Sequence, residues 1–242
     1  YKADFHIHTC LSPCGSSKNV PTAIVKKAMD RGLDVIAISD HNSIGNVKAV
    51  REAAGRMAGE ENLTVLGGME ITTMEEIHLL AVFDTEENVC SMQELIYENL
   101  PGENNPDFFG PQYIVDSEDY VEDTDSHLLI GATTLSLERT IEEAHERSGL
   151  VIAAHIDRES FSLISQLGFI PPDLELDAVE FSPYYKKNRV DPAEMNYPYT
   201  FFSDAHQPDD IGKVYTIFYI ENPTVEEIKK ALQEAEGRRV VF

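Results

Sequence analysis

The chain of 242 residues has few cysteines and no long apolar segment. Its three cysteines, Cys10, Cys14 and Cys90, are too few and odd in number for a disulfide framework, which favours a reducing compartment. No apolar run approaches the ~20 residues needed to cross a bilayer, and the first residues lack the apolar stretch of a signal peptide. These absences predict a cytoplasmic protein with no membrane partner.

Basic residues are also scarce, and one third of the chain has none. The chain has 43 Asp and Glu against 19 Lys and Arg, which gives a formal net charge of -24. Residues 57–138 contain 19 of the acidic residues and no Lys or Arg, so this stretch carries -19 of the -24. Because binding to long nucleic acids and anionic membranes depends on Lys and Arg, we expect no long duplex nucleic acid among the partners.

Short β-rich runs alternate with helical patterns, an order typical of an α/β domain with mostly parallel strands. The predicted strands are 3–8, 34–39, 63–72, 77–83, 150–155, 178–182 and 200–204. The clearest helical patterns lie at 21–31, 137–148 and 224–236. Seven strands with intervening helices fit a barrel better than an open sheet, but their spacing alone leaves both open. We expect one domain over 1–242, with an insertion at about 101–135 whose acidic segment 116–125 is a solvated loop.

Polar side chains gather at the carboxyl ends of the predicted strands, where α/β folds place their sites. His6 and His8 end the first strand, and the two-residue period of a strand puts both imidazoles on one face, where they can meet one ion. Imidazole nitrogen and carboxylate oxygen are the usual ligands of catalytic divalent ions, and unpaired buried groups of this kind would be costly. The pattern therefore predicts metal binding. The candidate ligands at the strand ends are His6, His8, His41, Glu70, His78, His155, Asp204 and His206.

These motifs resemble those of the PHP family, named for polymerase and histidinol phosphatase. The matching segments, in the family's order, are DFHIHT at 4–9, ISDHNS at 38–43, GMEIT at 68–72, His78, AAHIDR at 153–158 and SDAH at 203–206. The resemblance implies a distorted seven-stranded (β/α) barrel with two or three divalent ions (Zn, Mn, Fe or Mg) at its carboxyl end. The implied ligands are His6, His8, Glu70 and Asp204 for the first ion, Glu70, His78 and His155 for the second, and His41 and His206 for the third.

One position departs from the family pattern. Family members usually supply another His or Asp for the third ion shortly after the His-x-His, where this chain reads CLSPCG at 10–15. Cys14 is the nearest candidate, because a thiolate is a good Zn or Fe ligand. A small loop thiol beside a Pro-Cys-Gly turn is an equal alternative. The third site is therefore expected to be altered, weak or absent.

The resemblance favours hydrolysis of a small phosphorylated metabolite or nucleotide, by attack of a metal-bridging hydroxide on phosphorus. Arg158 is expected to grip phosphate oxygens, with an ion pair to Asp157 or Glu159 as the alternative. If the third ion is missing, His206 would be free to act as the general acid. Asp40 is expected to orient a ligand histidine.

Several further residues have two interpretations. Glu180 either orients a histidine in the same way or forms an ion pair with Lys186 or Lys187. Those lysines and Arg189 are either phosphate-binding or solvated. The insertion's aromatic residues either pack or form a base-stacking wall; they are Phe108, Phe109, Tyr113 and Tyr120.

Two other functions are consistent with the same residues. One is an exonuclease or nucleotidase that acts on oligonucleotide ends, since a single terminal phosphate can enter a metal-rich pocket despite the negative surface. The other is a non-catalytic metal-binding scaffold domain. The residues do not identify the substrate, because specificity depends on loops.

Overall fold

The computed structural model describes residues 1–57, 59, 63–185, 192 and 195–241. Within these residues, eleven strands form a nine-stranded sheet and a separate two-stranded sheet. The large sheet contains β1 (Lys2–Ile7), β2 (Val35–Ile38), β3 (Thr64–Thr72), β4 (His78–Phe83), β7 (Leu150–Ala153), β8 (Ala178–Phe181), β9 (Tyr199–Phe201), β10 (Thr216–Tyr219) and β11 (Arg239–Val241). The small sheet pairs β5 (Tyr113–Val115) with β6 (Val121–Thr124).

Seven α-helices are seen in the same residues. They are α1 (Pro21–Asp30), α2 (Val47–Met57), α3 (Glu86–Glu98), α4 (Pro106–Phe109), α5 (Leu137–Glu146), α6 (Leu163–Leu167) and α7 (Val225–Leu232). A 3-10 turn spans Pro208–Asp210. In the part of the chain described, no helix is long and apolar enough to cross a membrane.

The strands of the large sheet run in the order β11-β10-β1-β2-β3-β4-β7-β8-β9. Pairing is parallel from β1 to β3 and from β7 to β9, whereas β4 is antiparallel to both of its neighbours. The sheet curls, so that Ala205, beyond β9, forms a parallel bridge with Ile7 at the end of β1. This confirms the predicted α/β fold. The predicted count of seven strands is not confirmed, because β10 and β11 extend the same sheet beside β1.

Because successive side chains of a strand point to opposite faces, the two faces of the sheet pack against different helices. In β2, Val35 and Ala37 join the cluster that packs against α7, while Ile36 and Ile38 join the cluster of α1 and α2. All four residues of β2 are buried, which agrees with the continuous apolar run expected of a strand covered on both faces. The loop at the carboxyl end of β2, which carries Asp40 and His41, is therefore held by a strand that is covered on both faces.

The acidic segment 116–125 is only partly the solvated loop that the sequence predicts. The exposed strand β6 lies within it. Asp119 accepts a hydrogen bond at 3.0 Å from the backbone N–H of Thr22 in the first turn of α1. Arg56 of α2 donates to the Ser117 hydroxyl at 3.0 Å. These contacts anchor the segment to α1 and α2, although most of its carboxylates remain at the surface.

Candidate metal centre

All nine predicted metal ligands meet at one end of the large sheet. The parallel strands contribute residues from their carboxyl ends. His78 begins β4, but β4 is antiparallel to β3, so that His78 lies opposite Thr72 at the same end of the sheet. The backbone at this end is strained at Asn42, His155 and Asp204, which have φ angles of 49°, 31° and 47°. Such left-handed residues other than glycine cost free energy and concentrate at functional sites.

Four side chains surround one point at the centre of the cluster. The His6 and His8 Nε2 atoms are 3.2 Å apart, and both lie 3.4 Å from Asp204 Oδ1. Glu70 completes the group, with Oε1 3.4 Å from His6 Nε2 and Oε2 3.3 Å from His8 Nε2. Ligands held tetrahedrally at about 2.0–2.1 Å from an ion are separated from one another by about 3.3–3.4 Å. The four side chains therefore have the spacing of a shared coordination sphere.

A second group shares Glu70 with the first. Glu70 Oε1 lies 2.7 Å from His78 Nδ1 and 3.1 Å from His155 Nε2, and those two nitrogens are 3.3 Å apart. Glu70 Oε2 lies 3.2 Å from His41 Nδ1. The carboxylate of Glu70 is thus placed to bridge two ions, as the family resemblance implies.

The third group is arranged around His8. The His8 ring centroid lies 4.8 Å from that of His41 and 4.6 Å from that of His206. Cys14 Sγ forms a compact triad with His8 and His41, and Asp204 forms another with His8 and His206. Cys14 is exposed in part, but its thiol faces the cluster, where desolvation and the charge of Glu70 raise its pKa. The structure therefore places Cys14 within reach of an ion beside His8 and His41.

The hydrogen bonding of the cluster fits bound cations. Asp204 Oδ1 and His41 Nδ1 are buried and have no hydrogen-bond partner, although each faces other ligand atoms at 3.2–3.5 Å. Buried polar atoms without a partner are unfavourable in the absence of an ion. A donor set of imidazole nitrogens and carboxylate oxygens is the chemistry preferred by Zn, Mn and Fe. The residues present therefore fit a cluster of divalent ions.

Charges within the cluster are strongly coupled. Burial raises the pKa of Asp204, but His6 and His8 outweigh it and hold that pKa well below its usual value. For His6 the balance is reversed: burial lowers its pKa, and the charges of Glu180, Asp204 and Glu70 raise it well above 6.5. Burial lowers the pKa of His206, which favours the neutral imidazole. A neutral imidazole is the form that binds a cation.

A carboxylate behind the cluster fixes one ring nitrogen of His6. Both carboxylate oxygens of buried Glu180 lie 3.0 Å from His6 Nδ1, and one also accepts from the backbone N–H of His155 at 3.1 Å. Of the two interpretations of Glu180, the structure therefore shows the contact with a ligand histidine. Lys186, Lys187 and Arg189 lie outside the described residues.

Asp40 reaches a ligand through another residue rather than directly. Its carboxylate accepts from Thr9 and from the Ser12 hydroxyl at 2.6 Å. Because Ser12 Oγ uses its proton on Asp40, it accepts from His8 Nδ1 at 3.0 Å. This leaves His8 Nε2 unprotonated and facing the cluster. Ser12 is a residue that the sequence did not single out.

Arg158 pairs with a metal ligand. Its guanidinium contacts Asp204 Oδ2, whereas both oxygens of Asp157 accept from Ser182. The alternative to a phosphate role was an ion pair with Asp157 or Glu159; the structure shows a pair with Asp204, and Asp157 is engaged by Ser182. The Arg158 side chain remains 36% exposed, which leaves donors for a second anion.

His206 turns one nitrogen away from the cluster. Its Nδ1 donates to the backbone carbonyl of Asp204 at 2.8 Å, so Nε2 is the nitrogen left for an ion or a proton. The two remaining histidines have protein partners: His127 Nδ1 lies 2.8 Å from Asp125 Oδ1, and His145 Nε2 lies 3.0 Å from Asp177 Oδ2.

The aromatic ring that touches the cluster belongs to a residue that the sequence did not single out. Phe161 stacks on His78, with ring centroids 4.8 Å apart. Of the aromatic residues in the stretch 101–135, Phe108 and Phe109 pack edge to face against each other. Asn42 is a further residue that the sequence did not single out. Its Nδ2 donates to the backbone carbonyls of Leu129 and Gly131, both at 2.9 Å.

Comparison with known protein families identifies the family of this chain. The model of the PHP domain matches residues 4–235. The chain belongs to the PHP family. The resemblance drawn from the motifs is thereby confirmed, as is the expected class of metal-dependent hydrolase.

Known proteins of this fold differ in their described activities. The uncharacterized protein MJ1587 of Methanocaldococcus jannaschii is 29% identical over 81% of this chain and 90% of its own length. The lesion-specific endonuclease PfuEndoQ from Pyrococcus furiosus is similar over 100% of this chain and 57% of its own, with 20% identity and a TM-score of 0.72. A "putative metal-dependent phosphoesterase" from Bifidobacterium adolescentis is similar over 96% of both chains, with 18% identity and a TM-score of 0.57. At these identities the structural likeness shows the fold alone.

Proposed function

We propose that this PHP protein is a metal-dependent phosphoesterase that hydrolyses a small phosphorylated metabolite or a nucleotide. The observation that carries the proposal is the arrangement of nine ligand residues around Glu70 and His8, with ligand atoms 2.7–3.4 Å apart in the first two groups. A cluster of this size exceeds what a structural ion needs, because structural zinc sites use four ligands.

The first ion is assigned to His6, His8, Glu70 and Asp204. The second is assigned to Glu70, His78 and His155. The third is assigned to His41 and His206, with Cys14 in the place of the usual His or Asp. We propose Zn, Mn or Fe as the resident metals, with Mg as an alternative. Bound ions of this kind supply a nucleophile from water at neutral pH and stabilise the charge that develops on phosphorus.

The protein's own residues position these parts. Glu180 and the Ser12–Asp40 pair hold His6 and His8 with Nε2 towards the cluster. Arg158, already anchored on Asp204, is placed to hold phosphate oxygens through its exposed donors. His206 presents Nε2 beside His8, where it would serve as an ion ligand or, in its protonated form, as the acid for the leaving group when the third ion is absent.

We propose that residues 101–135 are an insertion that shapes substrate access. The support is the contact between this stretch and the catalytic end of the sheet: the Leu129 and Gly131 carbonyls accept from Asn42, which follows His41. The acidic surface of the insertion would disfavour extended polyanions there. A single phosphate at the ions would be less affected, since bound divalent cations decide the local charge.

A nuclease that acts on oligonucleotide ends is the second candidate. The similarity to a lesion-specific endonuclease supports nuclease activity in general rather than action on ends, and this chain spans 57% of that protein's length. The net charge of -24 weighs against binding of a long duplex. Hydrolysis of nucleoside monophosphates compared with that of short labelled oligonucleotides would separate the two functions.

The proposal is tested by loading the purified protein with Mn, Zn or Mg and measuring turnover on a panel of phosphorylated metabolites. We expect about two or three ions per chain. Glu70→Gln keeps the shape of the side chain but removes the bridging charge, and should lower both metal content and turnover by about 100-fold or more. The exposed Glu175 serves as the matched control, as Glu175→Gln. Full metal loading without turnover on any phosphate ester would instead support a scaffold domain.

A further inference from the structure

Phe161 covers one ligand of the metal cluster and remains open to solvent. Its ring lies on the imidazole of His78, with 4.8 Å between centroids and 20° between planes. Its carbonyl accepts from the His78 backbone N–H at 3.0 Å. The residue is nevertheless 40% exposed. A phenyl ring is thus held at the edge of the candidate active site, with part of its surface available to another molecule.

Stability alone does not account for this placement. Phe161 has a φ of 56°, a left-handed conformation that is unusual for a bulky residue and strained. An exposed ring also gives up part of the free energy that full burial would provide. Strained residues persist where the surrounding structure holds them, and they concentrate at ligand sites.

The loop that carries Phe161 is itself well fixed. Arg158 N–H donates to the His155 carbonyl at 2.9 Å, and the Ser162 hydroxyl donates to the Arg158 carbonyl at 2.8 Å. Ser162 also caps α6 through a reciprocal contact with Ser165. The ring is therefore presented by a preorganised turn, which reduces the entropy lost on binding.

This one loop spans the cluster. At one end, Arg158 pairs with Asp204, a proposed ligand of the first ion. At the other end, Phe161 lies on His78, a proposed ligand of the second. A phosphate held between the ions and Arg158 would have its attached group near the phenyl ring. A flat π-system fits that surface better than a saturated group, because rings gain from offset stacking.

We infer that Phe161 is a specificity-determining residue that stacks on a planar aromatic group of the substrate, so that the substrates are phosphate esters that carry an aromatic ring, such as nucleotides. This inference rests on the proposed function, in which the metal cluster binds the phosphate. The ring would contribute to substrate binding rather than to the chemical step. Its loss should therefore raise KM and change kcat little.

The test compares pairs of phosphate esters in which one member carries an aromatic ring and the other does not. Benzyl phosphate and cyclohexylmethyl phosphate have similar size and both are esters of primary alcohols; adenosine monophosphate and ribose 5-phosphate form a second pair. Phe161→Leu keeps an apolar cover over His78 and removes the π-face. We expect it to raise KM roughly tenfold for the aromatic member of each pair and less than about twofold for the saturated member. Phe161→Trp, which keeps an aromatic face, should retain the wild-type preference for the aromatic member of each pair.

Phe169, which is 60% exposed beyond α6, provides the matched control. Phe169→Leu should leave the aromatic preference unchanged. Metal content and melting temperature are measured for every variant, so that a folding defect is recognised directly. The inference is overturned if Phe161→Leu affects both members of a pair equally, if it affects neither, or if Phe169→Leu has the same effect.

A binding measurement separates this inference from the proposed function. Calorimetric titration of the Mn-loaded protein with adenosine monophosphate and ribose 5-phosphate requires no turnover. If Phe161→Leu binds adenosine monophosphate more weakly than the wild type but binds ribose 5-phosphate equally well, the inference is supported. This holds even if the wild-type protein hydrolyses none of the esters, a result that would refute the proposed phosphoesterase function. Equal binding of both ligands to the variant and the wild type overturns the inference.

Discussion

Replacement of Glu180 by Gln should weaken metal binding without unfolding the protein. Both carboxylate oxygens of Glu180 lie 3.0 Å from His6 Nδ1, and Oε2 also accepts from the His155 backbone N–H at 3.1 Å. The glutamine amide has the same shape but only one oxygen. If the glutamine oxygen accepts from His6 Nδ1, the glutamine NH₂ group faces the backbone N–H of His155, and two donors oppose each other. If the oxygen accepts from the His155 N–H instead, the NH₂ group faces His6 Nδ1.

The magnitude follows from that mismatch. A buried donor left without an acceptor costs about 1–3 kcal/mol; a mismatch at the His155 N–H is present with and without the ion and lowers stability, whereas one at His6 also disfavours the ring state that binds the ion, and each 1.4 kcal/mol there corresponds to a tenfold change in affinity. The loss of the negative charge also removes support for the proton on His6 Nδ1, which keeps Nε2 free for the ion. We therefore expect the affinity for the first ion to fall by about 10- to 100-fold, in line with other carboxylates that hold ligand histidines.

The assay is competition for Zn or Mn against a chelator of known affinity, with circular dichroism to verify the fold. Glu175→Gln, an exposed change on the segment before β8, is the control and should bind metal like the wild type. Metal affinity within twofold of wild type in Glu180→Gln would refute the reasoning, because it would mean that Glu180 does not hold His6 for the ion.

Two further predictions concern the metals. Cys14→Ala should remove about one ion per chain and leave the others, since the one ligand group that contains Cys14 among the described residues pairs it with His8 and His41. Elemental analysis with Cys90→Ala as control measures this, and an unchanged ion count would exclude Cys14 as a ligand. Metal at about 100 times its Kd should stabilise the fold by about 2.7 kcal/mol, which raises the Tm by roughly 5–11 °C for a chain of this size. A chelator should reverse the shift, and a Tm insensitive to metal would argue against the cluster.

The candidate site was largely predictable from sequence because its ligands follow the strands that carry them. His6 and His8 share a face through the two-residue period of β1, and Asp204 and His206 recur after β9. The antiparallel course of β4 was not predictable from its own residues, which read as a buried strand in either direction. Only that course brings His78 to the same end of the sheet as Glu70.

Other features lacked a local signal. The strands β10 and β11 have four and three residues, and their pairing beside β1 depends on partners distant in the chain. Ser12 and Asn42 look like ordinary loop residues, and their roles follow from hydrogen bonds to His8 and to residues 129 and 131. Phe161 has no unusual sequence context, because stacking on His78 requires the β7–α6 loop to return to β4.

The sequence by itself determined the α/β class, the family and the types of atom that gather at the strand ends, because strand period and residue chemistry are local properties. The scarcity of basic residues likewise determined an acidic surface. Tertiary structure decided which candidate ligand atoms lie close together, that Arg158 pairs with Asp204, and that a phenyl ring borders the cluster. Those outcomes depend on distances between segments far apart in the chain, which are set only when the sheet curls and its loops pack.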